Sequence, residues 1–154
     1  MSESIYILGA ARTPVGSFQG SLASQSAPEL GAHAIAAALV NGQVDRAEVN
    51  EVIIGNVVSS GLKQAPARQA MRIAQLPDSC AATTINKVCG SGMKATMLAM
   101  DLIRAGSADT VVAGGMESMS NAPYLVAKAR TGLRMGHAGM LDSLFTDGLE
   151  DAET

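Results

Sequence analysis

Apolar residues in this chain fall into short unbroken runs, separated by stretches with a helical period. The runs are Ile5-Tyr6-Ile7-Leu8-Gly9-Ala10, Glu51-Val52-Ile53-Ile54-Gly55-Asn56-Val57-Val58, Ala81-Ala82-Thr83-Thr84-Ile85 and Thr110-Val111-Val112-Ala113-Gly114-Gly115. They show little polar alternation, as expected of parallel strands covered on both faces. Between them lie three predicted helices. The first opens at Pro28-Glu29, with proline and an acid in its first turn, and closes at Gly42. Leu30, Ala34, Ala37 and Ala38 share its predicted inner face, widened by Ile35 and Leu39. The second runs from Ala67 to Gln75, opened by Pro66 and stopped before Pro77. It turns Ala67, Ala70, Met71 and Ala74 inward and leaves Arg68 and Arg72 on a solvated side. The third runs from about Met93 to Ala105, with Gly106 as its C-terminal stop. Met93, Met97 and Met100 form one stripe on it, and Leu98, Leu102 and Ile103 another, which predicts a helix buried all round. Asp45-Arg46-Ala47-Glu48 reads as a capping box for a single turn. Four alternating strand–helix units predict an α/β fold: a mostly parallel sheet with helices on both faces.

The pattern weakens after Ser120. Residues 121–154 mix glycine, methionine and charge without a clean period, so the chain divides into an α/β core at 1–120 and a second, irregular part at 121–154. With 47% hydrophobic and 16% charged residues, the composition is that of a globular chain with a real core. Aromatics make up only 3%, so that core must be built from Ala, Val, Ile, Leu and Met. A net charge of −3 and no basic face argue against nucleic acid as a partner. No apolar run approaches the roughly 20 residues of a membrane span. No secretory signal is apparent behind Met1-Ser2-Glu3-Ser4. Two cysteines without CxxC spacing make neither a disulfide framework nor a zinc site, which fits a reducing compartment. A cytoplasmic protein is the expectation.

The stretch Asn86-Lys87-Val88-Cys89-Gly90-Ser91-Gly92-Met93-Lys94 joins the third run to the third helix. It reads as strand, tight glycine turn, then helix, with Cys89 at or just before the first helical turn. A helix N-terminus presents unpaired N–H groups and about half a positive charge, and it favours a thiolate. Gly90 and Gly92 leave the approach open. Cys89 is therefore the candidate nucleophile, weighed against inert packing, the commoner fate of a free cysteine. Gly90-Ser91-Gly92-Met93-Lys94-Ala95 also fits the G-x-G-x-x-A dinucleotide fingerprint. That reading needs an acid at the end of the next strand, but Asp109 comes before it and Glu117 comes late. His33 has no second ligand at i+4 and is read as a surface or satisfied partner residue, not a ligand.

Asn-Lys-Val-Cys-Gly-Ser-Gly-Met-Lys-Ala resembles the acyl-accepting cysteine motif of thiolases, the acetyl-CoA acetyltransferase family. Ala11-Arg12-Thr13-Pro14-Val15-Gly16, the stretch from Asn56 to Gln69, and Gly114-Gly115-Met116-Glu117-Ser118-Met119-Ser120 carry the same resemblance. A ketoacyl synthase shares the fold, but its cysteine usually lies in a Thr-Ala-Cys-Ser-Ser-like sequence. The resemblance implies a thiolase-like N-terminal domain over 1–120 and the start of a loop and tetramerisation domain over 121–154, with the chain stopping inside it. It also implies an acyltransferase working through an acyl-cysteine on Cys89. Such an enzyme condenses two acetyl-CoA to acetoacetyl-CoA or cleaves a 3-ketoacyl-CoA. The Cys89 N–H would help hold the oxyanion of the second half-reaction. CoA thioesters are then substrates, with no permanently bound cofactor and no metal, and the full-length family forms homotetramers. Leu149, in Asp-Gly-Leu, falls where the pantetheine channel is lined, and Met119 and Ser120 end the strand near the site. A later histidine, an asparagine and a second cysteine complete the family's apparatus, and this chain does not contain them. Neither His33 nor His137 matches that histidine, and Cys80 matches packing instead of the second cysteine. The resemblance therefore implies a fragment inactive by itself, with an exposed sheet edge prone to association; a non-catalytic assembly piece is the alternative.

Overall fold

A computed structural model describes residues 4–153. Helix α1 (Ala27–Gly42) begins one residue before Pro28 because Ser26 caps it. The Ser26 side chain accepts the Glu29 backbone N–H, and the Glu29 carboxylate accepts the Ser26 N–H at 2.7 Å. Asp45 and Glu48 close the predicted capping box around the single turn Arg46–Glu48. Strand β1 (Glu51–Gly55) leads to α2 (Pro66–Ile73), then β2 (Ala81–Ile85), α3 (Ser91–Arg104) and β3 (Val111–Gly115). Gly106, at φ +69°, ends α3 in the left-handed conformation that glycine adopts without strain.

The three strands form one parallel sheet in the order β2-β1-β3. β1 lies in the middle, and the chain crosses from one of its sides to the other between β2 and β3. Side chains alternate across β1. Val52 and Ile54 enter the main core with Ile35 and Leu39 of α1 and Ala67, Ala70 and Met71 of α2. Met71 is fully buried, and a side chain of its size contributes about 1.5–3 kcal/mol by leaving water. Ile53 and Gly55 face the other side, where α3 packs. Helices thus cover both faces, as the apolar runs predicted.

Several expectations need correction. The first predicted strand, Ile5–Ala10, does not form. Tyr6, Ile7 and Leu8 are 76%, 87% and 62% exposed, and the segment leans on the end of α1, where the Asn41 side-chain amide donates to the Ala10 carbonyl at 3.0 Å. A strand needs a hydrogen-bonded neighbour, and among the described residues none pairs with this one. The inner face of α1 is Ala27, Pro28, Gly31, Ala32, Ile35 and Leu39. Leu30, Ala34 and Ala37 instead border an open surface cavity together with the exposed His33. Helix α3 is not buried all round. It buries Ser91, Ala95 and Ala99 against the sheet, while Met93 is 74% exposed. Both methionine and alanine stripes suit a buried helix, and the small residues win the sheet because they let the backbones approach.

Beyond β3 the chain turns through Met119–Asn121 and forms a short antiparallel ribbon, β4 (Tyr124–Leu125) with β5 (Leu141–Asp142). The residues between the two strands are largely exposed. The chain then turns inward at the buried Ser143 and Leu144 and passes through a wide turn, Phe145–Leu149. No described helix is long and apolar enough to cross a membrane.

Gly55 is the tight joint between the sheet and α3. A Cβ there would strike the Ser91 side chain and come within 2.8 Å of the Ser91 carbonyl carbon. Gly55→Ala should push α3 off the sheet and cost about 1–3 kcal/mol, the range for overpacking. Urea unfolding checks the loss, and a shift of Cys89 labelling rate in the folded variant checks the displacement.

Candidate active site

The loop from β2 to α3 is a strained elbow. Val88 has φ 48°, a left-handed conformation that costs a β-branched residue about 1–3 kcal/mol. Local hydrogen bonds hold it there. The Asn86 side-chain oxygen accepts the Val88 N–H at 2.9 Å, and the Gly90 and Ser91 N–H groups donate to the carbonyls of Lys87 and Val88. Ser91 does the most. Its buried hydroxyl accepts the Lys87 N–H at 2.8 Å and donates to the Val88 carbonyl at 2.6 Å, so one oxygen closes the turn in both directions. The elbow lifts Cys89 out of the sheet. Gly90 is the first cap of α3, which puts Cys89 one residue before it, and the thiol is free and exposed. No side chain caps the helix, and with the Ser91 N–H spent on Val88, the Gly92 and Met93 N–H groups remain for other acceptors.

Cys80 has the opposite environment. It precedes β2, one five-residue strand away from Cys89, and is 1% exposed in the main core. Burial pushes its thiol up, and the negative charge of Glu51 adds to the effect. The packing role predicted for it agrees with this position.

Cys89 opens onto a cleft of about 420 Å³ at the carboxyl ends of β1 and β3. In open parallel sheets this is where ligands are generally bound, at the point where the strand order reverses. Gly55, Ser91, Gly92 and Gly115 form the floor, where three backbones meet with almost no side chain between them. Val57, Val58, Met116, Glu117 and Met119 line one part, and Leu144, Gly148 and Leu149 close the other. The two residues singled out from the sequence, Cys89 and Leu149, therefore share a single cleft although 60 positions separate them. Met119 belongs to it as well. Ser120 does not: its hydroxyl accepts the Gln19 N–H at 2.9 Å and fastens the N-terminal loop. His137 is exposed on the segment between β4 and β5 and is absent from the cleft lining. Among the described residues no cluster of His, Cys, Asp and Glu could hold a metal.

Two contributors escaped the sequence reading. Ser91 lies within the cysteine motif, but the sequence alone assigns it no role. Glu117 was noticed only as an ill-placed acid. Its carboxylate accepts the Asn56 side-chain amide at 2.6 Å and the backbone N–H groups of Val57 and Val58 at 2.8 and 3.2 Å. Burial pushes the Glu117 carboxyl above the ordinary range, and those three donors pull only part of the way back.

A parallel sheet with an exposed cysteine lifted on a strand–elbow–helix turn, at a cleft beyond the strand ends, defines an α/β protein with its thiol set in that cleft. Comparison with known proteins is more specific. Residues 5–154 match the family model described as the thiolase N-terminal domain, and the chain belongs to that family. Acetyl-CoA acetyltransferase 2 of Arabidopsis thaliana is 56% identical over 147 residues, which is 96% of this chain and 36% of that protein. An acetyl-CoA acetyltransferase of Pseudomonas aeruginosa is 54% identical over 97% of this chain and 38% of its own length. Among solved structures, Acat5 thiolase from Ascaris suum in complex with coenzyme A superimposes with a TM-score of 0.92 at 42% identity, covering 96% of this chain and 38% of that one. The chain thus spans well under half the length of the relatives it matches.

Removing the Ser91 hydroxyl leaves the Lys87 N–H without its acceptor, so Ser91→Ala should cost about 1–3 kcal/mol and slow Cys89 alkylation. Urea titration and thiol labelling measure the two effects. Glu117 sets a pH dependence. Because its folded value is raised, the folded chain binds more protons than the unfolded one just above the ordinary carboxylate range. Its contribution is therefore full below that range and is lost as pH rises through the raised value. Glu117→Gln should flatten this slope in denaturant midpoints taken across mildly acidic pH.

Proposed function

We propose that this chain supplies the acyl-accepting thiol of a thiolase-type acyltransferase. The Cys89 thiolate attacks the carbonyl carbon of a CoA thioester. A new C–S bond forms, the carbonyl π pair moves onto oxygen, and collapse of that oxyanion expels CoA as its thiolate, leaving the acyl group on Cys89. One hard step becomes two easier ones. A second acetyl-CoA, deprotonated at its α-carbon, then attacks the acyl-cysteine carbonyl and releases the Cys89 thiolate with acetoacetyl-CoA. In reverse, Cys89 cleaves a 3-ketoacyl-CoA. The Cys89 N–H is a donor for the second oxyanion, and Leu149 gives the pantetheine arm an apolar wall. CoA thioesters are substrates here, and no resident cofactor takes part.

The observation that carries this reading is the exposed thiol on a strained elbow, in one cleft with Leu149. Family membership and the CoA complex of the Ascaris suum thiolase support it. The cleft lining contains no histidine and no second thiol to move protons, so the 154-residue chain alone should show no thiolysis of acetoacetyl-CoA.

The test uses an electrophile delivered with and without its carrier. Bromoacetyl-CoA should alkylate Cys89 at least about tenfold faster than bromoacetamide, with free CoA protecting, whereas the buried Cys80 stays unlabelled. Leu149→Asp should lower the advantage. Equal rates for the two reagents would sink the CoA reading, and equal labelling of both cysteines would sink the nucleophile assignment.

A further inference from the structure

Glu117 is the one titratable side chain that lines the cleft besides Cys89. It is partly buried, and each acceptor contact it makes is to a neutral amide: Asn56 Nδ2, Val57 N and Val58 N. The one ion pair among the described residues, Arg72 with Asp78, involves neither Glu117 nor the cleft lining. A half-buried carboxylate facing amide donors alone is an expensive way to end a strand. What it achieves is specific. At the end of β1 the ladder is still in use: the Asn56 N–H donates to the Ile85 carbonyl, and the Met116 N–H donates to the Gly55 carbonyl. One residue later no neighbouring strand receives the chain. The Glu117 carboxylate takes the next two N–H groups, those of Val57 and Val58, and both side chains line the cleft.

Asn56 gives a second, independent sign that the arrangement is imposed. It is 2% exposed, and its amide nitrogen serves both the Met116 carbonyl, at 3.4 Å, and Glu117. Its own Oδ1 is left buried without a partner. A buried acceptor is rarely left unpaired unless the surrounding network requires that orientation.

We propose that Glu117 is a positioning residue: its carboxylate gathers Asn56, Val57 and Val58 into the cleft wall and so sets how much bulk can reach Cys89. The proposal rests on Cys89 being the acyl-accepting nucleophile. Val58 also meets the far wall, since a Cβ on Gly148 would lie 3.2 Å from Val58 Cγ2, so the gathered wall sets the width of the cleft on both sides. Replacing Glu117 by Gln keeps the shape but offers an NH₂ to one of the three donors, which turns one attraction into a repulsion.

The experiment labels Cys89 in the full 154-residue chain with a small reagent, methyl methanethiosulfonate, and a bulky one, N-phenylmaleimide. In Glu117→Gln and Glu117→Ala the loosened wall should raise the bulky-to-small rate ratio at least about threefold, while the small reagent changes less than about twofold and Cys80 stays protected. An unchanged ratio in a variant that keeps Cys80 protected would overturn the proposal. If both variants expose Cys80, hydrogen exchange in the unsubstituted chain decides. The Val57 and Val58 amides should exchange at least about 100-fold more slowly than that of Ser60, and matching rates would overturn the proposal. Neither readout involves CoA, so a failure here is separate from failure of the bromoacetyl-CoA test.

Discussion

The site exists because a helix can land on the sheet with almost no side chain in between. Gly55, Gly92 and Gly115 meet where the first turn of α3 comes down on the ends of β1 and β3. A Cβ on Gly92 would sit 3.5 Å from the Gly115 nitrogen, and one on Gly55 would collide with Ser91. With the helix seated this low, its N-terminus opens at the level of the strand ends. The residue just before it then reaches the shared cleft. Larger residues at these positions would raise the helix and carry the thiol away from Val57, Met116 and Leu149, which define the space it serves.

Two kinds of strain are held at that joint. Val88 sits in a conformation its branched side chain disfavours, and Ser91 restrains it through two short hydrogen bonds. Glu117 keeps a carboxylate partly buried for the sake of three amide donors. Neither device is needed to hold the core. The packing of Met71, Val52, Ile35 and Leu39 between α1, α2 and β1 does that on the opposite face of the sheet. The main core and the presentation of the thiol thus fall on different sides of the same strand, with alternate residues of β1 serving each. Cys80 and Cys89 follow the same division: one is sealed into the stable side, and the other is raised on the working side.

Much of this was readable along the chain. The runs at Glu51, Ala81 and Thr110 became β1, β2 and β3, and Pro66 and Pro77 bracketed α2 with Ala67, Ala70, Met71 and Ala74 inward. The run at Ile5 has the same composition and formed no strand. Composition states only that a segment prefers burial; a ladder needs a partner, and that partner is a property of the whole assembly. The methionine stripe of α3 misled for a related reason. Periodicity identifies apolar faces but not which one meets the sheet, and close approach of backbones chose Ala95 and Ala99.

What the sequence determined by itself was local: a cysteine between a β-run and a helix, flanked by glycines whose backbone can turn sharply, and the family those residues belong to. Such features depend on near neighbours in the chain, so a linear reading reaches them. Leu149 and Met119 were put near the site by family resemblance alone; the tertiary structure decided that they would share one cleft with Cys89 while Ser120 fastened a loop, and that Glu117 would gather Asn56, Val57 and Val58 from about 60 residues away. These relations follow from strand order and helix seating, which bring together groups far apart in sequence, and no local pattern encodes them.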